Sequence, residues 1–381
     1  MLNKLIKLFR GQKNLGDEGG LATRLHIDSV LLALILLVAL FGFFVLYSAS
    51  NQSTALLTRQ VIRFGIALGA MFVVAQIPPK FLRIWAPILF LIGLSMLIAV
   101  KFAGDVGKGA QRWLDLGLIR FQPSELMKLA VPMMVAWYLH FRPLPAKFGV
   151  NMLALGMIIV PTALISIQPD LGTALLIAAS GVFVILLAGL SLRFILLSGV
   201  IAMIAAPAYW FTLMQDYQKT RVLTFLNPES DPLGSGYHII QSKIAIGSGG
   251  IFGKGWLNGT QGQLEFLPER TTDFIFAVLG EEFGLMGLLI LLIVYVLIIL
   301  RGLIIASQAN DTFERLLAGS ISLTFFVYIF VNTGMVTGLL PVVGVPLPLI
   351  SYGGTSMVTL MAGFGMLMSI QTHKRMFSNL Q

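Results

Sequence analysis

The sequence contains no cysteine among its 381 residues, which excludes disulfide bonds, thiolate nucleophiles and zinc sites built on thiolates. Histidine is almost as scarce. The four histidines, His26, His140, His238 and His373, lie far apart and show no ligand spacing. A metal site built on several histidines is therefore not expected.

Charged side chains are also scarce, at 11% of the residues, whereas a soluble domain has roughly 25%. Apolar residues make up 57% of the chain, and the mean hydropathy is +0.88. A soluble fold cannot bury that much apolar surface. The composition therefore predicts an integral membrane protein, in which residues 1–381 form one polytopic membrane domain.

Ten apolar segments are long enough to be transmembrane helices, because about 20 apolar residues cross the hydrocarbon core of a bilayer. The predicted fold is therefore an all-α membrane bundle. The predicted spans are 29–48, 60–77, 83–101, 123–141, 149–167, 171–189, 192–213, 276–300, 314–339 and 353–372.

The net charge of +9 indicates orientation in a membrane rather than nucleic-acid binding. If the N-terminus is cytoplasmic, the cytoplasmic segments hold 14 of the 26 basic residues but only five of the 17 acidic ones. They then carry the whole excess of positive charge, as the positive-inside rule requires. We therefore expect a multi-pass protein of the cytoplasmic (inner) membrane with both termini inside. Residues 1–26 form a basic amphipathic segment that we expect on the inner leaflet.

Two predicted extracytoplasmic connections, residues 102–122 and 214–272, are long. Helix–helix connections usually have roughly 2–8 residues, and much longer ones are commonly functional or disordered. The second loop is not of low complexity, because it contains Trp256, Phe266 and several charged residues. We expect it to form an ordered cap over its face of the bundle.

The same loop contains a predicted helix with Tyr237, Ile240 and Ile244 on one face, and the glycines that follow it are a stop signal. The glycine-rich run 247–255 lacks the spacing of a phosphate-binding Walker loop. Flexible turns and a backbone nest for an anion remain as its two interpretations.

Glu125 and Lys128 are three residues apart near the start of the fourth span, so they share one helix face. A charge at this depth costs several kcal/mol unless it is paired or hydrated. Pro132 is expected to kink the helix at Lys128. Two interpretations fit the pair: a wet groove that leads into the membrane, or a structural ion pair within the bundle.

Two aspartates stand at the starts of predicted spans. Asp170 begins the sixth span, where a carboxylate is favourable in the first helical turn. Asp273 lies between the polar loop and the apolar eighth span, beside Phe274 and Phe276. That boundary suits a desolvated functional carboxylate, and it equally suits a helix N-cap. The residues alone leave both interpretations open.

Glu281 and Glu282 lie inside the eighth predicted span. Carboxylates at membrane depth are commonly functional or paired. Proton coupling and pairing with loop cations such as Arg270 both fit the sequence.

Proline and glycine are concentrated between the ninth and tenth spans, over residues 340–348 and 351–356. They predict non-helical backbone at membrane depth, which is tolerated only inside protein or beside a watery cavity. On physical grounds alone, ten spans and intramembrane carboxylates favour a transporter.

Several motifs in fixed order resemble those of the SEDS family of shape, elongation, division and sporulation proteins. They are WLDLG at 113–117, FQPSELMK at 121–128, QPDLGT at 168–173, NTGM at 332–335, LPVVGVPLP at 340–348 and SYGGTS at 351–356. The resemblance covers nearly the whole chain, from about residue 27 to residue 375. Residues 236–250 are more similar to the elongation branch of the family than to the division branch. Thr355 stands where serine is common, a minor departure.

The resemblance implies a peptidoglycan glycosyltransferase that polymerises lipid II into glycan strands during cell elongation. It also implies that Asp273 is the essential carboxylate and general base, and that Glu125 and Lys128 line the same outer cavity, for which Asp170 is a further candidate. Positive charge must balance the diphosphate of the undecaprenyl diphosphate-linked glycan. The candidate donors are Lys128, Arg112, Arg221, Lys243 and Arg270, together with a divalent cation such as Mg²⁺ or Mn²⁺.

The resemblance further implies a partner, a class B penicillin-binding protein that acts as a transpeptidase within the elongation machinery. Two other classes of function remain as alternatives. A lipid II flippase would also need a polar cavity, broken helices and intramembrane carboxylates. A scaffold that recruits the transpeptidase would need only a suitable surface.

Overall fold

The computed structural model describes residues 25–373 apart from twelve internal positions, 108, 109, 116, 118, 119, 191, 213, 215, 232, 233, 265 and 268. The predicted amphipathic segment 1–26 lies almost wholly outside the described residues. Within them are three strands, β1 (Asp105–Gly107), β2 (Ala110–Asp115) and β3 (Arg120–Phe121). The helices are α1 (Ser29–Ala49), α2 (Thr54–Gln76), α3 (Pro79–Ala103), α4 (Pro123–His140), α5 (Phe148–Ile167), α6 (Leu171–Leu187), α7 (Leu192–Thr212), α8 (Asp216–Leu226), α9 (Ser235–Gly249), α10 (Thr260–Gln263), α11 (Ile275–Ser307), α12 (Thr312–Thr337) and α13 (Thr355–Thr372).

Each of the ten predicted spans overlaps one of these helices. In the described part of the chain, six helices are long and apolar enough by themselves to cross a membrane: α1, α2, α3, α5, α11 and α12. Helix α6 is apolar but shorter. The predicted class of helical membrane protein is thereby confirmed, while the number of crossings stays a prediction.

Helix starts differ from the predicted ones where capping, rather than apolarity, determines them. Helix α2 begins at Thr54 instead of residue 60, because the Ser53 hydroxyl accepts a hydrogen bond from the backbone N–H of Leu56 at 3.4 Å. Helix α3 begins at Pro79 instead of residue 83, because proline fits the first helical turn.

Residues 102–122, predicted as a loop, contain a small antiparallel sheet in the order β1-β2-β3. Asp105 pairs with Trp113 across the first two strands, and Asp115 pairs with Arg120 across the last two. Strands of two to six residues carry too little alternation to be recognised in the sequence.

The helix predicted in the second loop is confirmed as α9, which ends at a glycine with a positive φ of 56°, Gly250. Its buried residues include Ile239, Ser242 and Ala245, so the face it buries differs from the one identified in the sequence. The Ser242 hydroxyl donates a 2.8 Å hydrogen bond to the carbonyl of Val336 in α12. Small side chains on this face let α9 approach its neighbours closely.

Helix α11 is broken, whereas one continuous span was predicted over residues 276–300. Gly284 has φ 65° and ψ −165°, a conformation that essentially only glycine adopts. The glycine-rich loop fills the break, because the N–H groups of residues 254–255 donate to the carbonyls of residues 281–282 at 3.0 Å. These two N–H groups are therefore satisfied by backbone, and the anion-nest interpretation of residues 247–255 is wrong for them.

Both ends of the described chain meet at one end of the bundle, here called the termini end. The ring of His26 stacks on that of His373, with 3.9 Å between centroids. At the same end, Arg83 bonds to Asp311 at 2.7 Å and to His140 at 2.8 Å, which links α3, α4 and α12. Helices α4, α6 and α11 begin at the other end, here called the opposite end. The predicted site residues Glu125, Lys128, Asp170 and Asp273 lie there.

Candidate functional site

Asp273 lies in the turn that precedes α11, and three hydrogen bonds from other parts of the chain hold the backbone of this turn. The carbonyls of residues 271–273 accept hydrogen bonds in turn from the N–H of Tyr352 at 2.8 Å, the hydroxyl of Ser351 at 2.6 Å and the amide of Asn332 at 2.8 Å. Asn332 is fully buried, and its amide nitrogen also donates to a second backbone carbonyl. These bonds fix the position of Asp273 against two neighbouring segments.

The side chain of Asp273 is not a helix cap. Helix α11 begins at Ile275, and its N-cap residue is Phe274, whose side chain makes no capping hydrogen bond. The capping interpretation of Asp273 is therefore wrong. The carboxylate is partly exposed and points to Gly344, where a Cβ atom would lie 3.5 Å from Oδ2.

The proline- and glycine-rich connection between α12 and α13 is non-helical, as predicted. Besides contacting Asp273 through Gly344, it packs on the start of α6, where a Cβ atom on Gly172 would lie 2.7 Å from the carbonyl oxygen of Val343. One connection therefore contacts both the Asp273 turn and the helix that Asp170 begins.

Asp170 is the N-cap of α6, as one of its interpretations predicted. Its carboxylate accepts from the N–H of Thr173 at 3.2 Å and from the side-chain amide of Gln122 at 3.2 Å. Arg112 lies 3.7 Å from the same carboxylate and donates to the carbonyls of residues 168–169. The structure thus brings Arg112 and Asp170 together, and both stabilise the start of α6.

Glu125 and Lys128 form a buried ion pair in α4, with 2.9 Å between Oε1 and Nζ. Lys128 also lies 5.5 Å from the centre of the ring of Tyr328, a residue for which sequence analysis predicted no role. A small pocket with a cavity volume of about 40 Å³ adjoins the lysine. Its lining is mainly apolar rather than the wet groove predicted, and includes Leu129, Pro132, Phe325, Leu360 and Phe364.

The three remaining candidate cations are dispersed over the long loop. Lys243 is exposed on α9 and packs against Gly338, where a Cβ atom would lie 2.7 Å from Nζ. Arg270 donates to the backbone carbonyl of Gly262, and Arg221 lies in α8. The structure gathers no single cluster of cations from the five candidates.

Glu281 pairs with Lys254 at 2.7 Å, a partner that sequence analysis missed, and no salt bridge joins it to Arg270 within the described residues. The neighbouring Glu282 accepts a hydrogen bond from Ser48 in α1. The expectation of a loop cation as partner is thus correct in kind but wrong in residue. A lysine flanked by glycines was the available signal, since such backbone can approach a helix closely.

In the described part of the chain, no group of three or more histidine, aspartate or glutamate residues could hold a metal ion. Mg²⁺ commonly binds through one or two carboxylates together with substrate phosphates and water, and no step below depends on a cation.

A family model described as cell cycle protein, which covers FtsW, RodA and SpoVE, matches residues 28–376. The match spans most of the chain, and the chain belongs to this family. The predicted resemblance to SEDS proteins is thereby confirmed.

The chain is 55% identical over 355 residues to the peptidoglycan glycosyltransferase MrdB of Escherichia coli K12. The alignment covers 93% of this chain and 96% of that protein. It is also similar to a chain of a peptidoglycan synthase complex solved to show how polymerization and crosslinking are coordinated. That match has 34% identity and a TM-score of 0.78, over 90% of this chain and 96% of the other. The rod shape determining protein RodA of Thermus thermophilus is 29% identical, with a TM-score of 0.67 over 90% of this chain and 95% of RodA.

Proposed function

We propose that the chain is a peptidoglycan glycosyltransferase that polymerises lipid II during cell elongation, with Asp273 as its general base. The activity is carried by one observation, 55% identity to an enzyme of that name over nearly the full length of both chains. The choice of Asp273 is supported by its partly exposed side chain on a backbone held by three hydrogen bonds.

In the proposed reaction, the 4-hydroxyl of one lipid II attacks the anomeric carbon of the growing glycan. The bond from that carbon to the diphosphate oxygen breaks, and undecaprenyl diphosphate leaves. Asp273 accepts the hydroxyl proton. Diphosphate is a good leaving group without protonation, so one carboxylate suffices, unlike the pair used in glycoside hydrolysis.

Lys128 is the candidate that best combines charge and place for the diphosphate. It lies at the opposite end of the bundle, and a small, mainly apolar pocket adjoins it. Arg112, Arg221, Lys243 and Arg270 remain candidates for later contacts along the substrate. Partners are proposed on family grounds: a class B penicillin-binding protein and, through it, the elongation machinery.

We place the termini end in the cytoplasm and residues 214–272 outside the inner membrane, within one membrane domain. The support is the concentration of basic residues in the segments of the termini end. Single cysteines test this cleanly because the chain has none of its own. A cysteine in residues 214–272 should react with an impermeant reagent from outside, and labelling only from the cytoplasm would contradict the proposal.

The activity is tested by mixing the purified full-length protein with labelled lipid II. Polymer formation supports the transferase, and movement of lipid across the bilayer without polymer supports the flippase. The absence of both outcomes supports a scaffold.

Asp273→Asn should reduce polymerisation about 100-fold or more, the usual range for losing a general base. Lipid II affinity and melting temperature should change little, since asparagine has nearly the same shape. Asp216→Asn, on the same loop, is the matched control. Near-normal polymerisation by Asp273→Asn would return the role to Glu125 or Asp170.

A further inference from the structure

The first segment of α11, residues 275–283, is separated from the rest of that helix by the break at Gly284. Its orientation therefore depends on the loop that fills the break. The loop carbonyls of residues 250–251 accept from the N–H groups of residues 285–286, and the loop N–H groups of residues 254–255 donate to residues 281–282, all at 3.0 Å. A Cβ atom on Gly253 would lie 2.1 Å from the carbonyl oxygen of residue 282, so no larger residue fits there without movement.

Glu281 fastens this loop to the segment by its side chain. It is fully buried, yet both oxygens are used. Lys254 Nζ and the Thr260 hydroxyl donate to it at 2.7 and 3.0 Å, and the backbone N–H groups of Gln261 and Gly262 donate at 3.0 and 3.3 Å. These donors stabilise the carboxylate, because burying it without hydrogen bonds would cost free energy. We therefore expect the loop and the segment to be held together at Glu281.

Gly262, which Glu281 holds, also contacts the turn that contains Asp273. Gly262 donates its N–H to Glu281 and accepts on its carbonyl a hydrogen bond from Arg270. Arg270 is three residues before Asp273. Two hydrogen bonds therefore connect Glu281, through Gly262, to Arg270, which lies in the same turn as Asp273.

We infer that Glu281 is a positioning residue for glycosyl transfer: through Gly262 and Arg270 it holds the start of the turn whose later carbonyls are held by α12 and the connection after it, and it does not touch the substrate. This rests on the proposed role of Asp273 as base. Full burial of Glu281 keeps it from the substrate, while its bonds span both the broken helix and the loop. Loosening them shifts Asp273, and a misplacement of about 1 Å can cost roughly 100-fold in rate.

The test compares polymerisation by the purified full-length protein and its Glu281→Gln variant. Glutamine keeps the length of the side chain but replaces one acceptor oxygen by a donor that faces other donors. We expect turnover to fall roughly tenfold or more, while the lipid II concentration for half-maximal rate changes less than about threefold. Amide hydrogen exchange over residues 269–275 should become faster.

Asp28→Asn is the matched control, since Asp28 is also a buried carboxylate paired with a cation, at the termini end. This variant should have a lower melting temperature. Turnover of the folded protein and amide hydrogen exchange over residues 269–275 should both stay unchanged. If Glu281→Gln has the same effects as this control, Glu281 is merely structural and the inference is overturned. Thr260→Val removes one of the four donors and serves if Glu281→Gln does not fold. It should lower turnover about threefold, and normal turnover would contradict the inference.

Asp273→Asn in the same assay separates the inference from the function on which it rests. If Asp273→Asn is inactive and Glu281→Gln polymerises normally, the inference fails and the proposed base stands. If Asp273→Asn polymerises normally, both fail. Inactive Asp273→Asn together with slow Glu281→Gln at unchanged half-saturation supports both.

Discussion

Two buried ion pairs, one at each end of the bundle, consist of the same types of charged group but have different roles. At the termini end, Asp28 and Arg301 are 273 residues apart in sequence and join the start of α1 to α11. Arg301 reaches both carboxylate oxygens, and Asp28 also caps α1 through the N–H of Leu31 at 2.8 Å. We call this pair closed, because both oxygens of the Asp28 carboxylate accept hydrogen bonds and the pair links two helices.

The pair at the opposite end is of another kind. Glu125 and Lys128 are neighbours on one helix, so their own bond joins no two helices, although Lys128 also contacts the Tyr328 ring of α12 at 5.5 Å. Glu125 Oε2 is buried and has no hydrogen-bond partner among the described residues, and Lys128 borders the pocket that Tyr328 also lines. Leaving a buried carboxylate oxygen without a hydrogen bond costs stability. The contrast supports the proposal that this pair is kept for substrate rather than for structure.

The largest effect should come from opening the closed pair. Arg301→Met leaves Asp28 buried without its cation, which costs about 3–5 kcal/mol in comparable pairs. We expect a large fall in the melting temperature of the detergent-solubilised protein, with turnover per folded molecule retained.

The double variant with Asp28→Leu and Arg301→Met is the control for this prediction. It removes both charges, and apolar replacements of buried pairs are often neutral or stabilising. It should therefore recover most of the lost stability. A double variant as unstable as Arg301→Met alone would show that the pair is not the source of the effect.

A smaller effect, this one on the rate of polymerisation, is expected at the opposite end. Lys128→Met retains the length of the side chain but removes the charge proposed to face the diphosphate. Polymerisation per folded molecule should fall roughly tenfold, equivalent to about 1.4 kcal/mol. The melting temperature should fall as well, because Glu125 is left buried without its cation. Equal rates for Lys128→Met and the wild type, with the same stability, would remove both interpretations of the pair.

The sequence predicted the helices well because an apolar run of membrane length has few other structures available. It missed the break in α11, since Gly284 lies within an apolar run and glycine also occurs in intact membrane helices. It could not identify Lys254 as the partner of Glu281, because 27 residues separate them and charge alone suggested Arg270 equally well. Long-range pairs of this kind depend on how helices pack, which periodicity does not contain.

In the candidate site, too, local features could be predicted from the sequence and long-range contacts could not. Asp273 was identified by its place between the polar loop and the apolar span and by the family resemblance, and the structure removed the capping alternative because the helix starts two residues later. Asn332 belonged to a motif but had no predicted role, and its contact with the Asp273 carbonyl appears only when α12 is packed against the turn. Local chemistry is thus visible in sequence, whereas the bonds that hold it in place are not.

The smallest predicted effect concerns histidine, which also differs between the two ends. His140 at the termini end lies 2.7 Å from Asp311, whereas His238 at the opposite end stacks on Phe274 with 5.5 Å between ring centroids. Burial lowers the pKa of His238 below its ordinary value of 6.5, although Glu269 and Asp231 act in the other direction.

Because the folded protein holds a proton on His238 less readily than the unfolded chain does, this residue favours folding above its ordinary pKa. That contribution is lost as the pH falls from about 6.5 through the lowered native pKa. His238→Gln cannot titrate, so its melting temperature should fall less than that of the wild type between about pH 7.5 and pH 5.5. The difference between the two pH profiles isolates His238 from the carboxylates, which titrate in both proteins. Parallel profiles would mean that His238 is protonated equally in the folded and unfolded chain, and that its stacking on Phe274 does not exclude the proton.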